Sequence, residues 1–318
     1  MTVLKEKRFR ANLLLLLAAA IWGFAFVAQR VSIQYVGPFT FNGIRFALGS
    51  ISLIPLILLN NKFSDKINKS ENAEVHNGQA QGVKLLNTIK AGILIGSVLF
   101  IGASLQQVGL KETTAGKAAF ITGFYIILVP LFGVFLKKKI GKSAWIASAL
   151  AITGLYLISV TGDFKISRGD LFQLLGSFFW AAHILLIDKY VQETDALILS
   201  LVQYIVCSLW SLIFALLLED IALSYLIQAA LPILYGGIGS VGIAYTLQMY
   251  GQKHAKPSHA AIILSLESVF AAVGEFLILG VSMDAKSYIG CALMLVGVLI
   301  SQLEESQKQQ AECIHVEA

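Results

Sequence analysis

Ten apolar runs, each near the length that crosses a bilayer, divide this chain almost from end to end. They lie at 12–29, 40–59, 89–109, 115–136, 144–161, 170–190, 197–218, 229–251, 258–280 and 288–303. A helix needs roughly 20 residues to cross the hydrocarbon layer. None of the runs alternates polar and apolar residues as a barrel strand does, and a backbone in lipid must satisfy its own hydrogen bonds, so all ten are predicted as helices. Apolar residues make up 57% of the chain and charged residues 14%, a balance that water does not dissolve. The expected fold is an all-α integral membrane protein with ten transmembrane helices.

The formal charge of +5 is spread through the flanking loops and forms no continuous soluble patch, so no nucleic-acid partner is expected. Its distribution sets topology instead. With the N-terminus inside, cytoplasmic segments collect Lys5, Lys7, Arg8 and Arg10, then Lys62, Lys66, Lys69, Lys84 and Lys90, then Lys137 to Lys139 and Lys142. Both termini are predicted in the cytoplasm, and the first apolar run reads as a retained helix. Cys207, Cys291 and Cys313 have no metal-ligand or redox spacing. Neither a metal nor a cofactor is expected.

The chain also repeats itself. Leu105 to Phe120 matches Leu247 to Ile262 at a shift of 142, which pairs Gln106 with Gln248, Gly109 with Gly251 and Lys111 with Lys253. A shift of 158 pairs Leu17 with Leu175, Trp22 with Trp180 and Phe46 with Tyr204, and a shift of 143 lays Lys142 to Gly154 on Ala285 to Gly297. The repeating unit is therefore a module of five helices, 1–162 and then 163–318, and the polar segment 60–88 is expected as a cytoplasmic loop of the first. Because five is odd, the second module enters the membrane from the opposite side, which is inverted-topology architecture. Lys111 and Lys253 must then lie on opposite sides. No stretch is long enough for a soluble nucleotide-binding domain and no GxxxxGK[ST] sequence occurs.

Several segments share a pattern: WGFAF at Trp22 to Phe26, FNGIRF at Phe41 to Phe46, TTAGKAAFITGFYIILVP from Thr113 to Pro130, and LESVFAAVGEFLILG from Leu266 to Gly280. In that order, over most of the chain, they resemble the drug/metabolite transporter superfamily, specifically its EamA-type ten-helix members built from two EamA repeats. The resemblance implies a multi-pass carrier in a bacterial-type inner (plasma) membrane that moves small organic metabolites, amino acids, related amphipathic compounds or drugs, often outward. Two departures stand out. The family's Glu-Pro in the ninth helix is Glu267-Ser268 here, with a proline kept at Pro130 in the fourth, and the Glu at the end of the fourth helix is replaced within Lys137 to Lys139. The ninth helix therefore lacks the proline expected to kink it.

Glu267 is the sharpest candidate site residue. Counting from Pro257 places it roughly 15 Å into its helix at the helical rise, near the bilayer midplane, where a carboxylate is costly unless paired or protonated. It reads as a proton-coupling group, as a partner for a substrate amine, or as a neutral carboxyl bonded to a neighbouring helix. Trp22, Trp180 and Tyr125 lie near mid-depth and read as core packing or as the apolar wall of a solute cavity. Gln106 and Gln248 read as interhelical glue or substrate contacts, and His183 as a structural residue or a proton relay. Arg45, near the outer end of its helix, reads as a snorkelling cation, or as an outer gate or ion pair with Glu275, with Asn42 in the same network. Glu275 otherwise reads as a cap or a surface residue.

Three function classes follow. A secondary transporter with alternating access, proton-coupled or a uniporter, binds a small solute between the modules within the lipid bilayer, as a monomer or a homo-oligomer. An acyltransferase-like membrane enzyme has only the HxxxxD spacing of His183 and Asp188, which diverge on one helix. A packing scaffold would use the duplication for size alone. The formal GxGxxG from Gly237 to Gly242 has no preceding strand and reads as a helix-contact surface.

Overall fold

Small residues placed at helix crossings, repeated at the shifts found in the sequence, set how the helices meet. The structure is a computed structural model that describes residues 2–70, 78–137, 140–159, 167–280, 285–286 and 288–301. Among these the chain is all helical. The main helices are α1 (Thr2–Ser32), α2 (Pro38–Ser70), α3 (Gly78–Gly109), α4 (Ala115–Phe135), α5 (Lys142–Ser159), α6 (Arg168–Tyr190), α7 (Ala196–Leu218), α8 (Ala230–Gln252), α9 (Pro257–Leu279) and α10 (Tyr288–Ser301). Eight are long and apolar enough to cross a bilayer, while α5 and α10 are shorter. Large apolar side chains such as Phe135, Leu216 and Leu231 stand exposed around the bundle, and Arg45, His183 and Glu267 are buried within it. That inside-out distribution is what a lipid environment selects.

The segment expected as a loop over 60–88 is mostly helix: α2 runs on to Ser70 and α3 begins at Gly78. Extending an existing helix adds a hydrogen bond per residue without a new nucleation cost. The Lys, Gln and Leu residues of this stretch are good helix formers.

Several close glycine contacts have a counterpart in the other half. A Cβ on Gly109 of α3 would sit 2.7 Å from the Gly169 carbonyl of α6, and one on Gly251 of α8 would sit 3.2 Å from the Ala11 carbonyl of α1. Gly169 and Ala11 are themselves 158 apart. Likewise Gly154 of α5 faces Met294 of α10, and Gly297 of α10 faces Ala151 of α5, all at a shift of 143. The two halves are thus related by one rotation, and they interleave: α1 packs on α8 and α9, while α3 packs on α6 and α7.

One end of α1 locates the ends of everything else. Ala11 and Leu15 touch Gly251, near the C-terminus of α8, whereas Arg30 Nη1 donates to the carbonyl of Leu110, just past the C-terminus of α3. Ala11 and Arg30 are separated by about 28 Å of helix. Lys111 and Lys253 therefore lie at opposite ends of the bundle.

The halves differ in α8. Gly96 of α3 meets Gln203 and Val206, and Gly237 of α8 meets their counterparts Arg45 and Leu48, a shift of 141, although the following Gly109 and Gly251 match at 142. One additional residue is therefore accommodated in α8. The π-helical segment Tyr235–Tyr245, with its wider turn, absorbs it. The GxGxxG stretch lies within that segment, so it is a close-contact surface, but one whose backbone is not α-helical.

Candidate functional site

Two membrane-depth helices are interrupted at the same place. In α4 the helix breaks between Ala115–Thr122 and Tyr125–Phe135, and in α9 between Pro257–Leu264 and Glu267–Leu279. Three backbone bonds at the breaks repeat at the shift of 142. Gly123 N–H donates to Ala119, Phe124 to Ile121 and Ile126 to Gly123, as Ser265 donates to Ala261, Leu266 to Ile263 and Ser268 to Ser265. The tighter i to i−3 bonds make a short 3₁₀ turn in each helix. A break is thus present in α9 without the missing proline. Pro130 lies beyond the α4 break and does something else: its absent N–H leaves the Ile126 carbonyl free, and Ser148 Oγ of α5 donates to it at 3.2 Å.

The first residue after each break points to the other. Tyr125 Oη donates to Glu267 Oε1 at 3.0 Å, and both side chains are buried. Tyr125 and Glu267 are 142 apart, so each is the other's counterpart. Symmetry mates that touch must straddle the axis relating them. Phe46 and Tyr204, mates at the shift of 158, also meet, with ring centroids 6.3 Å apart. The axis therefore runs between α2 and α7 and between α4 and α9.

A cavity of about 40 Å³ lies along this axis. That is room for a few waters as the helices stand, at roughly 10–15 Å³ for one. From α1 it takes Trp22, Phe26 and Gln29, and from α2 Arg45. Gln106 of α3 and Thr122 and Tyr125 of α4 complete the first half's share. The second half supplies Trp180 and His183 from α6, Ser240, Tyr245 and Gln248 from α8, and Glu267 from α9. Tyr245 is the aromatic hub: its ring lies 4.6 Å from that of Trp22, 6.4 Å from Trp180 and 5.9 Å from His183.

The polar groups fall into satisfied and unsatisfied sets. Trp22 Nε1 donates to the Ser240 carbonyl at 3.1 Å, and Gln106 Nε2 donates to Gln29 Oε1 at 3.0 Å. Gln173 of α6 links the Gln106 carbonyl to Thr122 Oγ1, so a polar seam crosses α1, α3, α6 and α4. His183 Nε2 pairs with Gln203 Oε1 at 3.0 Å. By contrast Trp180 Nε1, His183 Nδ1 and Gln248 Oε1 are buried with no hydrogen-bond partner among the described residues. Each such atom costs about 1–3 kcal/mol if left dry. Three of them around one cavity mark where a solute's or water's polar atoms belong.

All seven residues singled out as solute or proton contacts, Glu267, Trp22, Trp180, Tyr125, Gln106, Gln248 and His183, line this one cavity. The gate set separates. Arg45 does not snorkel: it is 2% exposed, lines the cavity, and donates from Nε to Asn42 Oδ1 at 3.0 Å. It does not pair with Glu275, whose Oε1 instead accepts the Gly116 N–H at 3.2 Å and caps α4. Depth along the chain placed Arg45 near headgroups, whereas its guanidinium lies against the Phe41 and Phe46 rings and the side chain lines the cavity. Cys313 lies outside the described residues, Cys207 and Cys291 are free, and no metal-ligand cluster occurs among the described residues.

Tyr245, Gln29 and Ser240 were not anticipated. Trp22, Phe26 and Gln29 share a helix face at i, i+4 and i+7, so Gln29 was readable. The π segment hides Ser240 and Tyr245 from any α-helical wheel.

The model of the EamA-like transporter family matches this chain twice, over residues 9–160 and 167–303. The chain belongs to that family. Relatives over most of the chain include a protein of Archaeoglobus fulgidus named as an uncharacterized transporter, 29% identical over 93% of this chain and 87% of the relative, and the uncharacterized transporter YwfM of Bacillus subtilis, 24% identical over 96% and 98%. A solved crystal structure superposes with a TM-score of 0.72 at 18% identity, covering 94% of this chain and 99% of that one. The protein is thus a multi-pass membrane transporter with the two-repeat EamA architecture.

Proposed function

We propose that this EamA protein is a secondary transporter that exports small amphipathic metabolites, amino acids and related compounds among them, by alternating access, with proton coupling through Glu267. In this reading α5 and α10 complete ten membrane crossings, residues 1–162 and 163–318 are the two inverted modules, and both termini lie in the cytoplasm of a cell whose inner membrane holds the protein. The observation that carries it is the contact between Tyr125 and Glu267. An acidic group on the axis between the modules is the group that any rocking of one module against the other re-exposes to each side in turn. The narrowness of the cavity supports the same view, since a solute the size of an amino acid needs the modules to part before it enters.

The test is flux. Purified protein in liposomes is screened against amino acids, aromatic amines and small drugs, with and without a pH gradient. Export activity driven by the gradient, lost in Glu267→Gln at unchanged folding, is the expected result. Flux that ignores the gradient in both proteins makes it a uniporter, and no flux under any gradient returns the scaffold reading.

A further inference from the structure

The geometry points to Arg45 as an anion subsite of the central cavity, so that the transported solute carries a carboxylate. A guanidinium has five N–H donors and no acceptor. Among the described residues Arg45 uses one, Nε to Asn42 Oδ1, and has no ion pair. Its flanks are the Phe41 and Phe46 rings, 5.3 and 4.9 Å from Cζ to the ring centroids. Cation–π contact with both rings holds the guanidinium in place without using any of its N–H donors, so those not bonded to Asn42 remain for new bonds. These donors belong to a side chain that lines the cavity. A buried charge persists only where something compensates it, and among the described residues no carboxylate pairs with Arg45.

The other half shows what a satisfied version looks like. The counterpart of Arg45 at the shift of 158 is Gln203, a neutral side chain bonded to His183. The counterpart of His183 is Ala25, which offers nothing, so the first half holds the stronger donor without an equivalent of the His183 bond. Glu267 shares the cavity but is bonded to Tyr125. The lining contains one arginine and no lysine among the described residues. A singly charged carboxylate on a planar body, laid against Trp22, Trp180 and Tyr245, fits this set, whereas a doubly charged phosphate monoester finds one cation for two charges. A fork-to-fork pair of Arg45 Nη atoms with the two carboxylate oxygens is the expected contact.

The inference rests on the transporter reading for the cavity being a solute site. Its test is calorimetric titration of the full chain in nanodiscs with 3-phenylpropionate and indole-3-propionate, each against its own primary amide, which has the same body without the charge. The acids should bind at least about tenfold tighter than the amides, as one charge-assisted bidentate pair requires. Arg45→Gln, which copies the second half, should abolish that preference, and Arg45→Lys should keep part of it. Should the glutamine variant not fold, the acid-against-amide comparison on the native protein and the lysine variant decides. Equal binding of acid and amide, an acid preference that survives in Arg45→Gln, or no binding of either acid overturns the assignment. Acid-selective binding without flux leaves the subsite standing and removes the transporter reading. Flux confined to amines that lack a carboxylate does the reverse.

Discussion

Lys117 and His259 occupy the same place in their repeats, 142 residues apart, and hold different partners at opposite ends of the bundle. Lys117 Nζ pairs with Asp170 Oδ2 at 2.5 Å, and His259 Nε2 bonds Asn12 Oδ1 at 3.0 Å. Asp170 and Asn12 are themselves mates at the shift of 158. One end is therefore latched by a charge pair and the other by a polar bond. The charged end is further braced, because Asp170 also accepts from Thr113 Oγ1 at 2.8 Å and closes a capping box with Ser167 at the start of α6.

Asp170→Asn makes the two ends alike. It leaves the Lys117 ammonium without this carboxylate, and stability should fall by about 1–3 kcal/mol. The fold should survive, since an Asn amide oxygen at this third helical position can still accept the Ser167 N–H. A cysteine introduced as Gln106→Cys, in a background free of Cys207, Cys291 and Cys313, should then react faster with a membrane-impermeant thiol reagent added from the Lys117 side. Unchanged labelling together with unchanged stability would show that the ion pair does not close that end.

The hydrogen bond on the axis makes a second prediction. Tyr125→Phe keeps the ring and removes the one hydroxyl that donates to Glu267 among the described residues. The break in α4 is formed by backbone bonds and the Gly123 turn, so the helix should keep its shape. Flux should drop by about tenfold, the scale of one hydrogen bond to a charged group. A double-mutant cycle with Glu267→Gln, read in detergent unfolding because the glutamine variant is expected to lose gradient-driven flux, should give a coupling well away from zero, because the two side chains meet. Unchanged flux in Tyr125→Phe would mean that the bond plays no part in the transport cycle.

A third prediction comes from a cap that moved between repeats. Asp195 is the N-cap of α7 and accepts from Leu197 and Ile198 N–H at 2.9 and 3.0 Å. Its mate is Gly37, which has no side chain to offer, and the Glu219 carboxylate from the end of α7 takes over by accepting from Phe39 and Thr40 N–H at 2.9 and 2.8 Å. Glu219→Ala should cost about 0.5–2 kcal/mol. Adding Gly37→Asp to that variant should restore most of it, whereas Gly37→Asp alone should not stabilise, since the carboxylate of Glu219 fills the same space. Detergent unfolding of the three variants measures all of this.

What could be read from the sequence followed from repetition and depth. The shift of 142 paired Gln106 with Gln248, and depth along α9 brought Glu267 to the axis, because both depend only on counting residues along straight helices. Arg45 was misplaced for the same reason: counting gives a height in the membrane, not the direction of a side chain, and two phenylalanines on its own helix decide that direction. Counting also fails where the helix is not α. The π segment rotates Ser240 and Tyr245 out of the register that a 3.6-residue wheel assigns. The α9 break needed no proline, and its signal was the repeat itself, Gly123-Phe124 against Ser265-Leu266.

Close helix approaches give the last prediction, with its own control. A methyl group at Gly154 would lie 2.8 Å from Met294 Cγ and closer still to the Gly290 carbonyl, and one at Gly109 would lie 2.7 Å from the Gly169 carbonyl. Backbone cannot rotate away, so the helices must separate. Gly109→Ala and Gly154→Ala should each destabilise by about 1–3 kcal/mol. At Gly239 the nearest atom is 3.7 Å away, an ordinary contact with the Tyr235 ring. Gly239→Ala should therefore be neutral in stability, although it lies in the glycine-rich π segment. If unfolding in mixed micelles shows Gly239→Ala costing as much as the other two, the segment needs glycine for its backbone shape rather than for close packing.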